Sequence, residues 1–217
     1  MKRTFSQINW AVELNTGKWI KADRADRKPG KGRYRCLDGR CSRDLTVARS
    51  KYGRQHFRHF RNSHAEGCVF QRLRSGQDTH KAAQVLLEAL FSQALKRNIP
   101  MPLLVFDTAN GRREVLPFIS AAQVVMEWEC PISKRKADVA LLDEAGRAVL
   151  LVEVWQTHAV DLEKGMDLSP YWWIEVEASR VLADPTALIV RNHGNLPDAL
   201  AMAWEQFQLF AVLTEPT

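Results

Sequence analysis

Two carboxylates stand inside apolar runs of this sequence: Asp138 in ADVALL, residues 137–142, and Glu153 in AVLLVEVW, residues 148–155. A carboxylate taken out of water without a partner costs roughly several kcal/mol, so each of these needs a cation or hydrogen-bond donors beside it. The runs flank Asp143-Glu144-Ala145-Gly146-Arg147, a polar turn with a glycine, and the whole reads as a β-hairpin. Side chains two apart on a strand share a face, which groups Glu153 with Leu151 and Trp155, and Asp138 with Lys136 and Ala140. In the right register both carboxylates enter one small volume. Such a pair suits a hard divalent cation, Mg²⁺ or Mn²⁺, which can activate water and stabilise a phosphoryl transition state.

A second constellation lies upstream. Cys36, Cys41, His56, His59, His64 and Cys68 fall within 33 residues. Tetrahedral zinc takes two ligands from each of two close chain segments, and a Cys-x4-Cys pair followed by a His-Phe-Arg-His return has that form. The expected ligands are Cys36, Cys41, His59 and Cys68, with His56 and His64 as substitutes. Four protein ligands leave no open position, so this zinc would be structural.

The formal net charge of +6 is unevenly spread. Residues 1–80 hold 19 Lys and Arg against 7 Asp and Glu, a net +12, and the remainder holds 12 against 18, a net −6. A basic N-terminal third suits a polyanion, and it is also what a solvated face would carry. Arg33, Arg35, Arg40, Arg43, Arg54 and Arg58 are interleaved with Tyr34, Tyr52, Phe57 and Phe60, a mixture able to clamp phosphates and stack on bases. Phe57, between two candidate ligands, reads as core. Residues 22–32 (ADRADRKPGKG) read as a mobile basic loop.

The elements that must hold these groups are legible in outline. Strands are expected near Trp10–Leu14 and Trp19–Ile20. KAAQVLLEALFSQALKR, residues 81–97, is an amphipathic helix with a cap at Asp78 or Thr79; His80 opens it, and Glu88 lies two turns on. Short strands follow at 103–106, 115–119 and 122–130, then the hairpin. A helix start capped by Thr157 and carrying Lys164 comes next, then strands at 171–176 and 186–190, and a closing helix at 197–213. Glu129, near the end of its strand, is a candidate for the metal cluster, whereas Glu127 reads as solvent-facing. The pattern predicts an α/β layer with its sheet covered on both faces. With no run of 18 apolar residues and no apolar stretch behind the basic N-terminus, neither a membrane span nor a signal peptide is expected, and the default location is cytoplasmic.

An Asp, a hairpin interval and a Glu-x-x triplet in an apolar strand resemble the core of the PD-(D/E)XK nuclease superfamily. ADVAL followed by LVEVWQTHAVDLEK, with the Cys/His cluster ending in His56-Phe57-Arg58-His59, is similar to the competence protein CoiA-like branch over residues 33–165. The resemblance implies a restriction-endonuclease-like mixed sheet flanked by helices, residues 76–217, behind a zinc-finger-like basic module, residues 1–75. It implies a Mg²⁺- or Mn²⁺-dependent deoxyribonuclease in competence or defence against foreign DNA, with Asp138, Glu153 and Glu129 at the metal. Gly76-x3-His80 is similar to a motif in which the histidine lies near that metal. The departure is Trp155, which fills the slot of the Glu-x-Lys lysine. Lys136, on the Asp138 face, and Lys164 are the candidate replacements. The same departure supports an alternative, a catalytically inactive nuclease fold that binds DNA or serves assembly. A sequence-reading zinc finger is disfavoured by the lack of Cys2His2 spacing. A homo-oligomer is left open.

Overall fold

The structure is a computed structural model that describes residues 8–26, 32–41, 43–60, 68–72, 79–96, 99–108, 111–115, 120–156, 160 and 162–195. The expected helix at 197–213, the cap at Thr157, the alternative cap Asp78, Gly76, the substitute ligand His64 and residues 27–31 of the expected loop lie outside the described residues.

Two sheets carry the fold. The first comprises β1 (Trp10–Glu13), β2 (Trp19–Lys21), β3 (Tyr34–Arg35), β4 (Asp44–Arg49) and β5 (Gln55–His59), antiparallel in the order β2-β1-β3-β4-β5. Its inner row runs from the buried Tyr34 and Leu45 to the half-buried His59 across three strands, with Phe57 edge-on to Tyr34 at 5.2 Å between ring centroids. Phe57 is 1% exposed, as its position between two candidate ligands led us to expect.

After the short α1 (Val69–Arg72), α2 (Thr79–Leu95) leads into the second sheet. That sheet contains β6 (Leu103–Thr108), β7 (Gly111–Val115), β8 (Gln123–Glu129), β9 (Lys136–Leu142), β10 (Ala148–Trp155), β11 (Trp173–Glu177) and β12 (Ala187–Gly194), in the order β7-β6-β12-β11-β10-β9-β8. β10 pairs parallel with β11, and β12 with β6; the other pairings are antiparallel. A parallel neighbour needs a crossover, and α3 (Leu162–Asp167) provides the one between β10 and β11. The remaining helix, α4 (Ala178–Ala183), links β11 to β12 and packs against α2.

Alternation sorts the central strands between two cores. Val139, Leu141, Leu150, Val152 and Ile174 join the large core beneath α2 and α4, while Ala140, Leu142, Leu151 and Trp173 pack with Leu168 on the α3 side. The large core is continuous with the first sheet, because Tyr34, Leu45 and Phe57 belong to it, as does Phe70 of α1. Asn9 and Trp10 also bond to the carbonyls of Leu182 and Ala183. The mixed α/β character and the covered central strands accord with the expected layer. Of the strand expected at 115–119, residues 116–119 lie outside the described residues; Val115 closes β7, which starts at Gly111, where φ of 109° needs a glycine. Helices α1 and α4 were not foreseen: four and six residues are too few to show a helical period.

Candidate active site and metal centre

The β9–β10 turn and a bulge at Val149 together set the register of the carboxylates. Asp143 accepts the amides of Ala145 and Arg147, and Gly146 takes φ of 75°, which closes the hairpin. The ladder then runs Ala140↔Leu151 and Val139↔Val152, and alternation from the first pair puts Asp138 and Glu153 on one face just beyond it. Directly opposed residues share a face of the sheet. The next strand continues the row, since Glu153↔Glu175 are register partners of β10 and β11.

Each carboxylate is met by a different helix. His80 Nε2 of α2 lies 3.2 Å from Asp138 Oδ1, and Gln84, one turn on, donates to the same oxygen at 2.7 Å. The Val154 amide donates to Asp138 Oδ2 at 2.7 Å, and Gln156 Oε1 accepts the His80 amide at 2.9 Å. Burial works against the ionised Asp138, but the bonds from His80, Val154 and Gln84 outweigh it and hold the carboxyl below its ordinary range. The Asp138 hydrogen bond raises His80 in turn, against the effect of burial.

Glu153 has a different balance. It is 3% exposed, and Lys164 Nζ of α3 lies 2.6 Å from its Oε2. Burial, and then the charge of Asp138, push its carboxyl up to about 7, with Lys164 pulling in the opposite direction. Its Oε1 is buried with no hydrogen-bond partner. An orphaned carboxylate oxygen beside an ionised Asp is an acceptor suited to a cation, so this donor set fits a hard divalent ion. Two neighbouring carboxylates held at different affinities for the proton are also a common arrangement in acid–base sites.

Other expected members lie elsewhere. Glu129 is half exposed at the end of β8, in register with Lys136 and 3.8 Å from Lys134, so the structure does not bring it to the Asp138–Glu153 pair. The same register leaves Lys136 exposed beside Glu129. The helix carboxylate Glu88 accepts from Ser92. Glu127 is exposed as expected and pairs with Lys81 at 3.0 Å, from a backbone with φ of 54°. Two residues of the site were missed. Gln84 was signalled by its i+4 spacing from His80, and Glu175 by the same pattern as Glu153, a lone carboxylate in an apolar strand.

The Cys/His cluster assembles from three segments. Cys36 and Cys41 bracket a knuckle between β3 and β4, His59 ends β5, and Cys68 precedes α1. Their ligand atoms lie within 4.8 Å of one another. Cys36 and Cys68 sulfurs are 3.7 Å apart, and His59 Nε2 is 3.3 Å from Cys41 and 3.6 Å from Cys68. Edges of a tetrahedron around zinc with these donors are about 3.6–3.8 Å from ordinary bond lengths. The cluster could therefore hold a metal such as zinc. The Cys36 hydrogen bond, with His59 adding to it against burial, brings the Cys68 thiol down to about 4, into the thiolate form that a metal requires. His56, three residues before His59, falls on the opposite face of β5.

Asp38 ties the knuckle together, a role not read from the sequence. It is 1% exposed; its carboxylate accepts the Val69 amide at 3.1 Å and pairs with Arg40 at 3.1 Å, and its carbonyl takes the Cys41 amide at 2.8 Å. Of the six arginines nominated for DNA, Arg40 is thus engaged with Asp38, and Arg33 is paired with Glu13 at 3.1 Å and Asp26 at 3.0 Å. Arg35, Arg54 and Arg58 are exposed and Arg43 is half-buried.

Protein-family models, curated proteins and solved structures were each compared with the chain, and none matches it. Among the described residues no helix is long and apolar enough to cross a membrane.

Proposed function

We propose that this chain is a metal-dependent nuclease of the PD-(D/E)XK type, related to the CoiA-like branch, that hydrolyses DNA phosphodiester bonds. The observation that carries this reading is the Asp138 carboxylate seated on the Val154 amide, next to Glu153 in β10, with Lys164 on the second carboxylate. Asp138 and Glu153 would hold Mg²⁺ or Mn²⁺, which supplies charge to offset the developing phosphorane and activates water. The chain's own groups do the rest. His80, Gln84 and the Val154 amide keep Asp138 ionised and oriented. Lys164, in the part of the missing Glu-x-Lys lysine, carries positive charge to Glu153 and to any anion beside it. Without a cation the Glu153 carboxyl stands at about 7, so metal binding there would release its proton.

Cys36, Cys41, His59 and Cys68 would hold one structural Zn²⁺, which fixes β3, β5 and α1 about one point. Arg35, Arg43, Arg54 and Arg58 on that module would contact phosphates, and such contacts confer affinity without sequence preference. Competence or defence against foreign DNA, within the cytoplasm, is the setting this chemistry suits.

Circular and linear DNA incubated with the purified chain and Mg²⁺ or Mn²⁺ should be cut, and Asp138→Asn and Glu153→Gln should abolish cutting. DNA left intact under all these conditions, but bound, favours a second reading, a nuclease fold that has lost catalysis. That reading draws on Trp155 in the lysine slot and on the full set of protein donors already on Asp138.

A further inference from the structure

A bulge in β12 stands next to the carboxylate row. Glu175 pairs with Asn192 and Val176 with Val190, so Arg191 is the extra residue between them. Bulges re-aim a side chain out of the strand's alternation. Here the Arg191 guanidinium lies over the Trp155 ring, 3.8 Å from its centroid, and its Nε is 3.8 Å from Glu175 Oε2. The second distance is an ion pair too long for a hydrogen bond. Glu175 Oε1 instead accepts the Val160 amide at 2.6 Å, and its Oε2 is buried without a hydrogen-bond partner. Among the described residues no hydrogen bond takes up the Arg191 donors, and the side chain is 45% exposed.

We infer that Arg191, laid on Trp155, is a phosphate-binding residue of this site that grips a backbone phosphate of the nucleic acid beside Asp138 and Glu153. The inference rests on the nuclease reading and extends it to the departure at Trp155. An indole in the lysine slot carries no charge, but its face holds a cation, and alternation puts Trp155 on the Glu153 face two residues further along β10. Glu175 sits beneath and favours the charge without consuming the donors. A planar guanidinium held in this way presents a fork that matches two phosphate oxygens, which an ammonium does not. Trp155 is then a positioning residue that acts through Arg191.

The test measures affinity of the full chain for a short oligonucleotide over a range of salt, without added divalent cation, together with single-turnover cleavage once it is added. Arg191→Gln keeps a planar side chain on the ring and removes the charge. It should weaken binding about tenfold and lower the salt slope by about one, as expected for one lost phosphate contact. Cleavage should fall roughly 10²–10³-fold. Arg191→Lys should recover part of the affinity and little of the rate. Trp155→Leu should lose about as much as Arg191→Gln, and the double variant no more than either. Unchanged affinity and salt slope in Arg191→Gln, with a parent chain that binds and cuts, overturns the role of Arg191 and leaves the nuclease reading standing. A parent chain that neither binds nor cuts overturns both. Weakening by inorganic phosphate alone at the same concentration of phosphate groups would show an anion site without a nucleic-acid role, and would also count against the inference.

Discussion

Lys164 Nζ stands 2.6 Å from Glu153 Oε2, and the two side chains are 24% and 4% exposed. The ammonium comes from the crossover helix and the carboxylate from the strand that precedes it, so the connection between parallel strands also delivers the counter-charge. Removing one partner of a buried pair costs more than the pair is worth, about 3–5 kcal/mol in fully buried cases. Because Lys164 keeps some contact with water, Lys164→Ala should destabilise the chain by less, about 2 kcal/mol on the same scale. Cleavage should fall roughly 10²–10³-fold. Lys136→Ala, on an exposed side chain at the far end of β9, should leave both unchanged. Denaturant titration and single-turnover cleavage of the two variants check the contrast.

Glu153 itself should show a conflict between stability and function. Its folded carboxyl lies at about 7, above its unfolded value, so the proton is bound more tightly in the native state. The sign follows from linkage: the stabilisation is fully present below the unfolded pKa and is lost as pH rises through about 7. At pH 8 the ionised carboxylate therefore costs the fold roughly 3 kcal/mol. Glu153→Gln, measured without added divalent cation, should match the parent at pH 4 and exceed it in stability at pH 8, while it cuts no DNA. A parent at least as stable as the variant at pH 8 would show that Lys164 fully compensates the charge.

The hairpin and its two carboxylates were readable because each leaves a strong local mark: apolar runs of six and eight residues, a polar Gly turn, and a charge where hydration is lost. The Cys/His cluster was readable for a similar reason, since residue type limits the chemistry, but His56 stayed a substitute for His59 until β5 put the two on opposite faces. Gln84 and Asp38 were not, because an amide or carboxylate that bonds a distant group looks in sequence like any surface residue. The ion pairs of Arg33 and Arg40 were invisible for the same reason. Their partners Glu13, Asp26 and Asp38 are brought to them by folding, and net charge does not show which cations are already paired. The αβ layer followed from periodicity, but the bulge at Arg191 moves one side chain against that periodicity and has no signature of its own.

Arginines with and without partners should separate in DNA binding. Arg33→Ala and Arg40→Ala remove groups already held by Glu13, Asp26 and Asp38, and should alter affinity less than twofold, on the order of the small worth of rim charges. Arg35→Ala, Arg54→Ala and Arg58→Ala should each weaken binding severalfold and lower the salt slope by about one where a phosphate contact is lost. Fluorescence anisotropy with two unrelated duplexes at several salt concentrations is sufficient. Equal losses across the five variants would mean that the ion pairs open on binding.

The metal cluster should govern the fold of the first sheet. Elemental analysis should find about one zinc per chain, because a donor set of three sulfurs and one imidazole suits that ion and the knuckle has little apolar area of its own. A strong chelator should unfold this region, and Cys36→Ser should do the same with the metal supplied. Asp38→Asn is the finer probe. It keeps the shape of a side chain that bonds the Val69 amide and Arg40, but weakens both bonds and so loosens the link between the knuckle and Cys68. Outer partners of metal ligands typically change affinity about 10–100-fold, so zinc should leave the variant for a competing chelator at a concentration correspondingly lower than for the parent. Far-UV circular dichroism before chelator addition should be unaltered. Zinc retention equal to the parent's would mean that the four ligands hold their geometry without Asp38.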